Sequence, residues 1–136
     1  MVADYTNTPL TLKLGVKEYS KLALLHAPAN FKIEIPTGVE VRRRTPGRVE
    51  VIVAFFSRST VLERQIEAMS QMIFPSGALW IAWPKRASGV TTDLTDHVVR
   101  DVALTPGLVD NKVCAIDETW TALRMVWRLS RRTTPG

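Results

Sequence analysis

The sequence predicts one three-layer α/β domain over residues 1–136, with a mainly parallel sheet of about six strands that ends in an antiparallel hairpin. Three observations carry that expectation. First, "VEVIVAFF" (49–56) and "ALWIAW" (78–83) are apolar almost without interruption. A strand with one wet face alternates, so unbroken runs point to strands buried on both faces, as in parallel sheets covered by helices. Second, Leu62, Ile66, Met69 and Ile73 lie between these runs at spacings that define one helical face. Third, "DLTDHVVRDVAL" (93–104) follows the second run and places Leu94, Val98 and Val102 four residues apart. Strand, helix, strand, helix is the succession of a βαβ unit, whose strands pair in parallel.

The elements follow in chain order. "TPLTLKLG" (8–15) reads as a short helix, with Thr8 as N-cap, Pro9 at the first helical position and Gly15 closing the end. "YSKLALLHA" (19–27) is a strand that closes near His26, and "HAPANF" (26–31) is loop-forming. "VEVRRR" (39–44) alternates and suits a sheet edge. In "STVLERQIEAMSQMIFPSG" (59–77), Thr60 and Glu63 have capping-box spacing, and Pro75-Ser76-Gly77 stops the helix. Thr105-Pro106-Gly107 ends the next helix, and "GLVDNKVCAI" (107–116) is a strand. "WTALRMVWRL" (120–129) fits two templates. A helical face collects Trp120, Leu123 and Trp127 but omits Met125 and Leu129. A period of two collects Leu123, Met125, Trp127 and Leu129, with Arg124 and Arg128 opposite, so a strand is expected. Asp117-Glu118 then falls in the turn of the final hairpin. Residues 1–7 and 131–136 are expected to be loose ends.

Composition narrows the function. The apolar fraction of 46% and the charged fraction of 23% are those of an ordinary globular domain. One cysteine, Cys114, and two histidines, His26 and His97, give no disulfide framework and no His/Cys metal site. No apolar run approaches the ~20 residues of a membrane span, and the N-terminus has no signal-peptide core, so a cytoplasmic protein without membrane partners is expected. The net charge of +5 resolves into two clusters: residues 42–48 and residues 124–132 each contribute +4, while 1–41 is neutral and 49–123 carries −3. Two local clusters on a slightly acidic body, with no zinc-finger, basic-zipper or RNA-binding signature, do not predict a specific nucleic-acid partner. The number of subunits is left open, a homodimer included.

The run of elements closing in βαβαβ and a hairpin is Rossmann-like and resembles the last half of a class I methyltransferase domain, shortened between its first strands. The motifs "WPK.ASGV.TDLT" and "GLVDNKVCA.DETW", together with "TPLTLKLGVK", "LLHAP" and "VIVAFF", also resemble a family of small bacterial proteins known only as a domain of unknown function. That second resemblance spans nearly the whole chain and implies a bacterial, single-domain protein. It implies no catalytic residue.

The methyltransferase likeness implies S-adenosylmethionine over a glycine-rich turn after the first strand, with an acid after the second strand holding the ribose. Here the first turn is "LLHAPANF", without glycine and with Pro28 lacking an amide, and the second strand ends in Arg42-Arg43-Arg44. No cofactor is therefore expected. Cys114, within "KVCAI", reads as a buried structural thiol. Asp93 and Asp96 read as complements to a helix dipole rather than paired catalytic acids. A Ser-His-Asp arrangement of Ser88 and His26 with Asp93 or Asp117 has no supporting motif. Of the tryptophans, Trp83 ends its strand and can line a pocket. No catalytic or metal-binding residue is assigned.

The remaining candidate is the loop "WPKRASGVTTDLT" (83–95), which leaves a central strand at the edge where α/β sheets bind ligands. Lys85 and Arg86 bring charge, Ser88 a hydroxyl, Gly89 a close backbone, and His26 should end its strand at the same edge. These five residues are the expected site for a carboxylate or single phosphate; the glycine and lysine spacing is not that of a P-loop. Two functions follow: a non-catalytic module for a small anionic ligand or a protein partner, or an enzyme with an atypical, degenerate methyltransferase-like site.

Overall fold

The computed structural model describes residues 9–44 and 47–132. Six strands, β1 (Lys21–Leu25), β2 (Glu40–Arg42), β3 (Val51–Phe55), β4 (Ala78–Pro84), β5 (Leu108–Ala115) and β6 (Trp120–Trp127), form one sheet in the order β2-β1-β3-β4-β6-β5. The pairs β1–β2, β1–β3 and β3–β4 are parallel, and β6 runs antiparallel to both β4 and β5. Three helices complete it: α1 (Leu10–Leu14), α2 (Ser59–Ile73) and α3 (Asp96–Leu104). The two apolar runs are the central parallel neighbours, in register from Val51 opposite Ala78 to Phe55 opposite Ala82. Every residue of β3 and β4 is buried.

Alternation along these strands divides the core. Ile52, Ala54, Leu79, Ile81 and Trp83 pack under the apolar faces of α2 and α3. Val51, Val53, Phe55, Trp80 and Ala82 face the other way, under Leu14 and Val16, with Phe31, Ile33 and Val39 partly buried beside them. This second layer is thin. It consists of the five-residue α1 and the segment 27–39, which contains no helix or strand. Two buried tryptophans fasten the layers. Trp80 Nε1 donates to the Leu14 carbonyl at 3.0 Å on one face, and Trp127 Nε1 donates to the Ser70 carbonyl at 2.9 Å on the other. Ser70 sits in the last turn of α2, where the Phe74 amide turns back to Gln71 instead. The indole thus supplies the donor that the end of the helix leaves missing.

Three local expectations change. Pro9 occupies the N-cap of α1 and Gly15 closes it in the left-handed region at φ 77°; Thr8 lies outside the described residues, as do 1–7 and 133–136. The Thr60–Glu63 capping box does not form. Helix α2 starts two residues earlier, at Ser59 with Arg58 as N-cap, and a carboxylate distant in sequence, Asp93, takes the Ser59 amide at 2.8 Å and the Ser59 hydroxyl at 2.7 Å. The last strand stops at Trp127, so Leu129 enters a 3-10 turn, Leu129–Arg131, and is 76% exposed. Arg132, just beyond, donates from Nε to the Trp127 carbonyl at 2.9 Å.

Trp127→Phe keeps a ring in the core but leaves the Ser70 carbonyl unpaired. It should cost about 1–3 kcal/mol, the penalty for one buried unsatisfied group. The urea midpoint should fall with an unchanged denaturant slope.

Candidate functional site

β4 ends in Trp83 and Pro84, and the chain then makes one 3-10 turn, Arg86–Ser88, before running extended to the Thr95 N-cap of α3. A groove of about 650 Å³ opens there, between this loop and the start of β6. Its wall includes Trp83, Lys85, Arg86, Gly89, Asp96 and Thr121. Gly89 is left-handed at φ 78°, and a Cβ there would meet nothing within 4 Å. Its glycine is therefore required by the backbone turn and not by a close approach.

Much of the loop's polar chemistry holds the loop itself. Lys85 Nζ donates to the Asp117 carbonyl at 2.6 Å, and the Lys85 amide donates to Thr119, which ties the loop to the β5–β6 turn. In that turn the Asp117 carboxylate accepts the Thr119 and Trp120 amides. Ser88 Oγ donates to the Lys85 carbonyl at 2.7 Å and accepts the Val90 amide. Thr92 Oγ1 donates to the Ser57 carbonyl at 2.6 Å, and Asp93 caps α2 beside it. Arg86 is different: among the described residues it has no ion-pair partner and no side-chain hydrogen bond. Lys85, with three donors on its ammonium, retains two for a ligand.

The two acids complement helix starts, as expected, but of different helices. Asp93 serves α2 from outside, and its carboxyl is held below the ordinary range by the Ser59 hydroxyl and then the Ser59 amide. Asp96, in the first turn of α3, is lowered by its hydrogen bond from Arg100 and by the His97 amide. Arg100 also reaches Asp110 at 3.0 Å and so ties α3 to β5. Cys114 is buried, and burial pushes its thiol up, against nucleophilic use. Among the described residues, no group of three or more His, Cys, Asp or Glu side chains gathers as a metal site, and no helix is long and apolar enough to cross a membrane.

His26 does not join Lys85. It ends β1 in the left-handed region at φ 58°, uncommon for a residue with a side chain. Its Nε2 is 2.8 Å from Gln65 Oε1, and its ring packs on Phe56 with centroids 5.3 Å apart. It lines a second hollow of about 360 Å³ at the ends of β1 and β2, with Leu25, Arg43, Arg44, Arg64, Gln65 and Ala68. The sequence reading missed Arg64 and Gln65. Their only signal is a polar helical face, and nothing local links that face to a strand some twenty residues earlier.

No family model and no curated protein matches the sequence. Solved structures do. An S-adenosylmethionine-dependent methyltransferase from Aquifex aeolicus is similar with a TM-score of 0.61 at 13% identity, over 86% of this chain and 87% of that one. The fibrillarin pre-rRNA processing protein of Methanococcus jannaschii is similar with a TM-score of 0.56 at 14% identity, over 82% of this chain and 68% of that one. At such identities the likeness is one of fold, and the chain has a methyltransferase-like Rossmann fold.

The residues present do not fit S-adenosylmethionine. The turn after β1 is bent by His26 where a glycine would serve, and Pro28 offers no amide. Among the described residues no carboxylate lines the hollow at the ends of β1 and β2 to accept ribose hydroxyls, and three guanidinium groups line it instead.

Because the Asp93 pKa is depressed in the folded protein, its stabilisation is fully present above the unfolded value and is lost as pH falls through the folded one. Asp93→Asn should therefore lower the melting temperature at pH 7. The gap from the unsubstituted protein should close as pH falls below about 4, the ordinary aspartate value. Melts followed by circular dichroism across that range would check it.

Proposed function

We infer that the chain carries an atypical, degenerate methyltransferase-like site at the carboxyl ends of its parallel strands, and that this site takes a small anion beside β4 in place of S-adenosylmethionine. The observation that supports it most is the groove itself. It opens where ligands bind on open α/β sheets, and it presents Arg86, which has no ion-pair partner among the described residues, beside the ammonium of Lys85. Ser88 and Gly89 shape the loop under these cations, the one by its hydrogen bonds and the other by its left-handed φ. A carboxylate or single phosphate matches one guanidinium plus two ammonium donors.

A second reading, binding without chemistry, is favoured by what lines the groove. Among the described residues that line it, the carboxylate of Asp96 is engaged by Arg100 and by the His97 amide, and no imidazole is present. A proton-transfer role would need a group within hydrogen-bonding reach of a substrate and available to it.

Titration with acetate, sulfate and phosphate, followed by backbone amide chemical shifts, should move Gly89, Val90 and Thr92. Arg86→Ala should remove those shifts without changing the unliganded melting temperature. Lys85→Ala and Ser88→Ala should each lower that temperature, because both side chains hold the loop. S-adenosylmethionine should move none of these amides. Calorimetric binding of that cofactor in the micromolar range would overturn the reading, and so would anion shifts that survive Arg86→Ala.

A further inference from the structure

The second hollow carries an inference of its own, independent of the groove beside β4. The geometry points to a small phosphoryl compound with two or more negative charges, bound at the ends of β1 and β2 by Arg43, Arg44 and Arg64. Three observations support it.

The first is convergence. Arg43 and Arg44 follow β2, whereas Arg64 comes from the second turn of α2, yet all three line one cavity of about 360 Å³. A run of arginines in a solvated tail would not be joined by an arginine from a separate helix. The cavity is near the small end of ligand pockets, which suits pyrophosphate or a phosphomonoester better than a dinucleotide.

The second is uncompensated charge. The preceding residue, Arg42, is neutralised by Glu40 at 2.6 Å. Among the described residues Arg43, Arg44 and Arg64 have no ion pair, and no Asp or Glu lines the cavity. Like charges brought together repel, and an anion between them removes the repulsion and adds attraction. Guanidinium groups present paired donors that match phosphate oxygens two at a time, which a single ammonium cannot.

The third is the conformation of His26. A non-glycine residue at φ 58° is costly unless the surroundings hold it, and such outliers gather at binding sites. Here Gln65 and Phe56 hold the ring at the cavity wall. The imidazole is thereby fixed on the rim beside the guanidinium groups, before any ligand arrives, which lowers the cost of ordering the site. The sign of the site is opposite to the ribose-holding acid of a methyltransferase, so the same edge of the same fold would select a ligand of opposite charge.

Arg43, Arg44 and Arg64 are exposed, so their substitution leaves the core intact. Calorimetry with inorganic pyrophosphate in about 0.1 M salt should give a dissociation constant below roughly 100 μM, weakening as salt screens the contacts. Arg64→Ala and Arg44→Ala should each weaken binding at least tenfold. Arg64→Lys should fall between, since it keeps the charge and loses the fork. In an Arg86→Ala background, which removes the cation of the groove beside β4, Arg64→Ala should still weaken pyrophosphate binding at least tenfold, which separates the two sites. Citrate, of similar charge but different geometry, should bind at least tenfold more weakly. A single-stranded oligonucleotide should show no contribution from Arg64 beyond nonspecific, salt-labile attachment. The proposal is overturned if pyrophosphate does not bind or binds equally well to Arg64→Ala. Preference for citrate, or an oligonucleotide that depends on Arg64 while pyrophosphate does not bind, would also overturn it.

Discussion

The burial of β3 and β4 on both faces is the constraint on which the rest depends. Two adjacent parallel strands with every side chain out of water need a cover above and below. One cover is ordinary, since α2 and α3 bring amphipathic faces ending in Met69, Ile73, Val99 and Val102. The other has little helix to use. It is assembled from the five residues of α1, Val16 and the irregular segment 27–39, and it is tied down by the Trp80 indole on the Leu14 carbonyl. A strand pair covered this way sends its connections out at the carboxyl edge, where the groove with Arg86 and the hollow with Arg43, Arg44 and Arg64 open.

The carboxyl edge is held by the same residues that line it. Loop 85–95 bonds forward to the β5–β6 turn through Lys85 and back to the start of α2 through Thr92 and Asp93. That bridging fixes the groove wall on three elements at once, which is the kind of rigid support a binding site needs. Among the described residues Arg86 is left without an ion pair here, as are Arg43, Arg44 and Arg64 at the neighbouring hollow. The surplus charge of the chain is equally divided in space. Arg42, Arg43 and Arg44 end or follow β2 towards the carboxyl edge, and Arg48 precedes β3, whereas the second cluster runs from Arg124 within β6 to residues beyond it, beside the start of β4.

The likeness to methyltransferases is one of architecture, and in this chain β6 runs reversed between β4 and β5. At the ends of β1 and β2 this chain presents Arg43, Arg44 and Arg64. Fold and ligand are separable because the sheet is specified by apolar pattern, while recognition rests on a few polar side chains at strand ends.

The sequence by itself determined the sheet. The unbroken runs 49–56 and 78–83 made central parallel strands, the spacing of Leu62, Ile66, Met69 and Ile73 made α2, and the period of two from Leu123 to Trp127 made the reversed last strand. These signals are local, since a residue's burial is written in its own neighbours at spacings of two to four. Tertiary structure decided which polar groups meet. Thr60 and Glu63 had the spacing of a cap, yet Asp93 caps α2 across 34 residues because loop 85–95 lies against the end of β3. His26 and Lys85 lie on one edge but in separate hollows, and Arg64 joins Arg43 and Arg44 only because α2 packs beside the ends of β1 and β2. A side chain's partner at the end of a strand depends on how layers dock, and no periodicity of the chain records that.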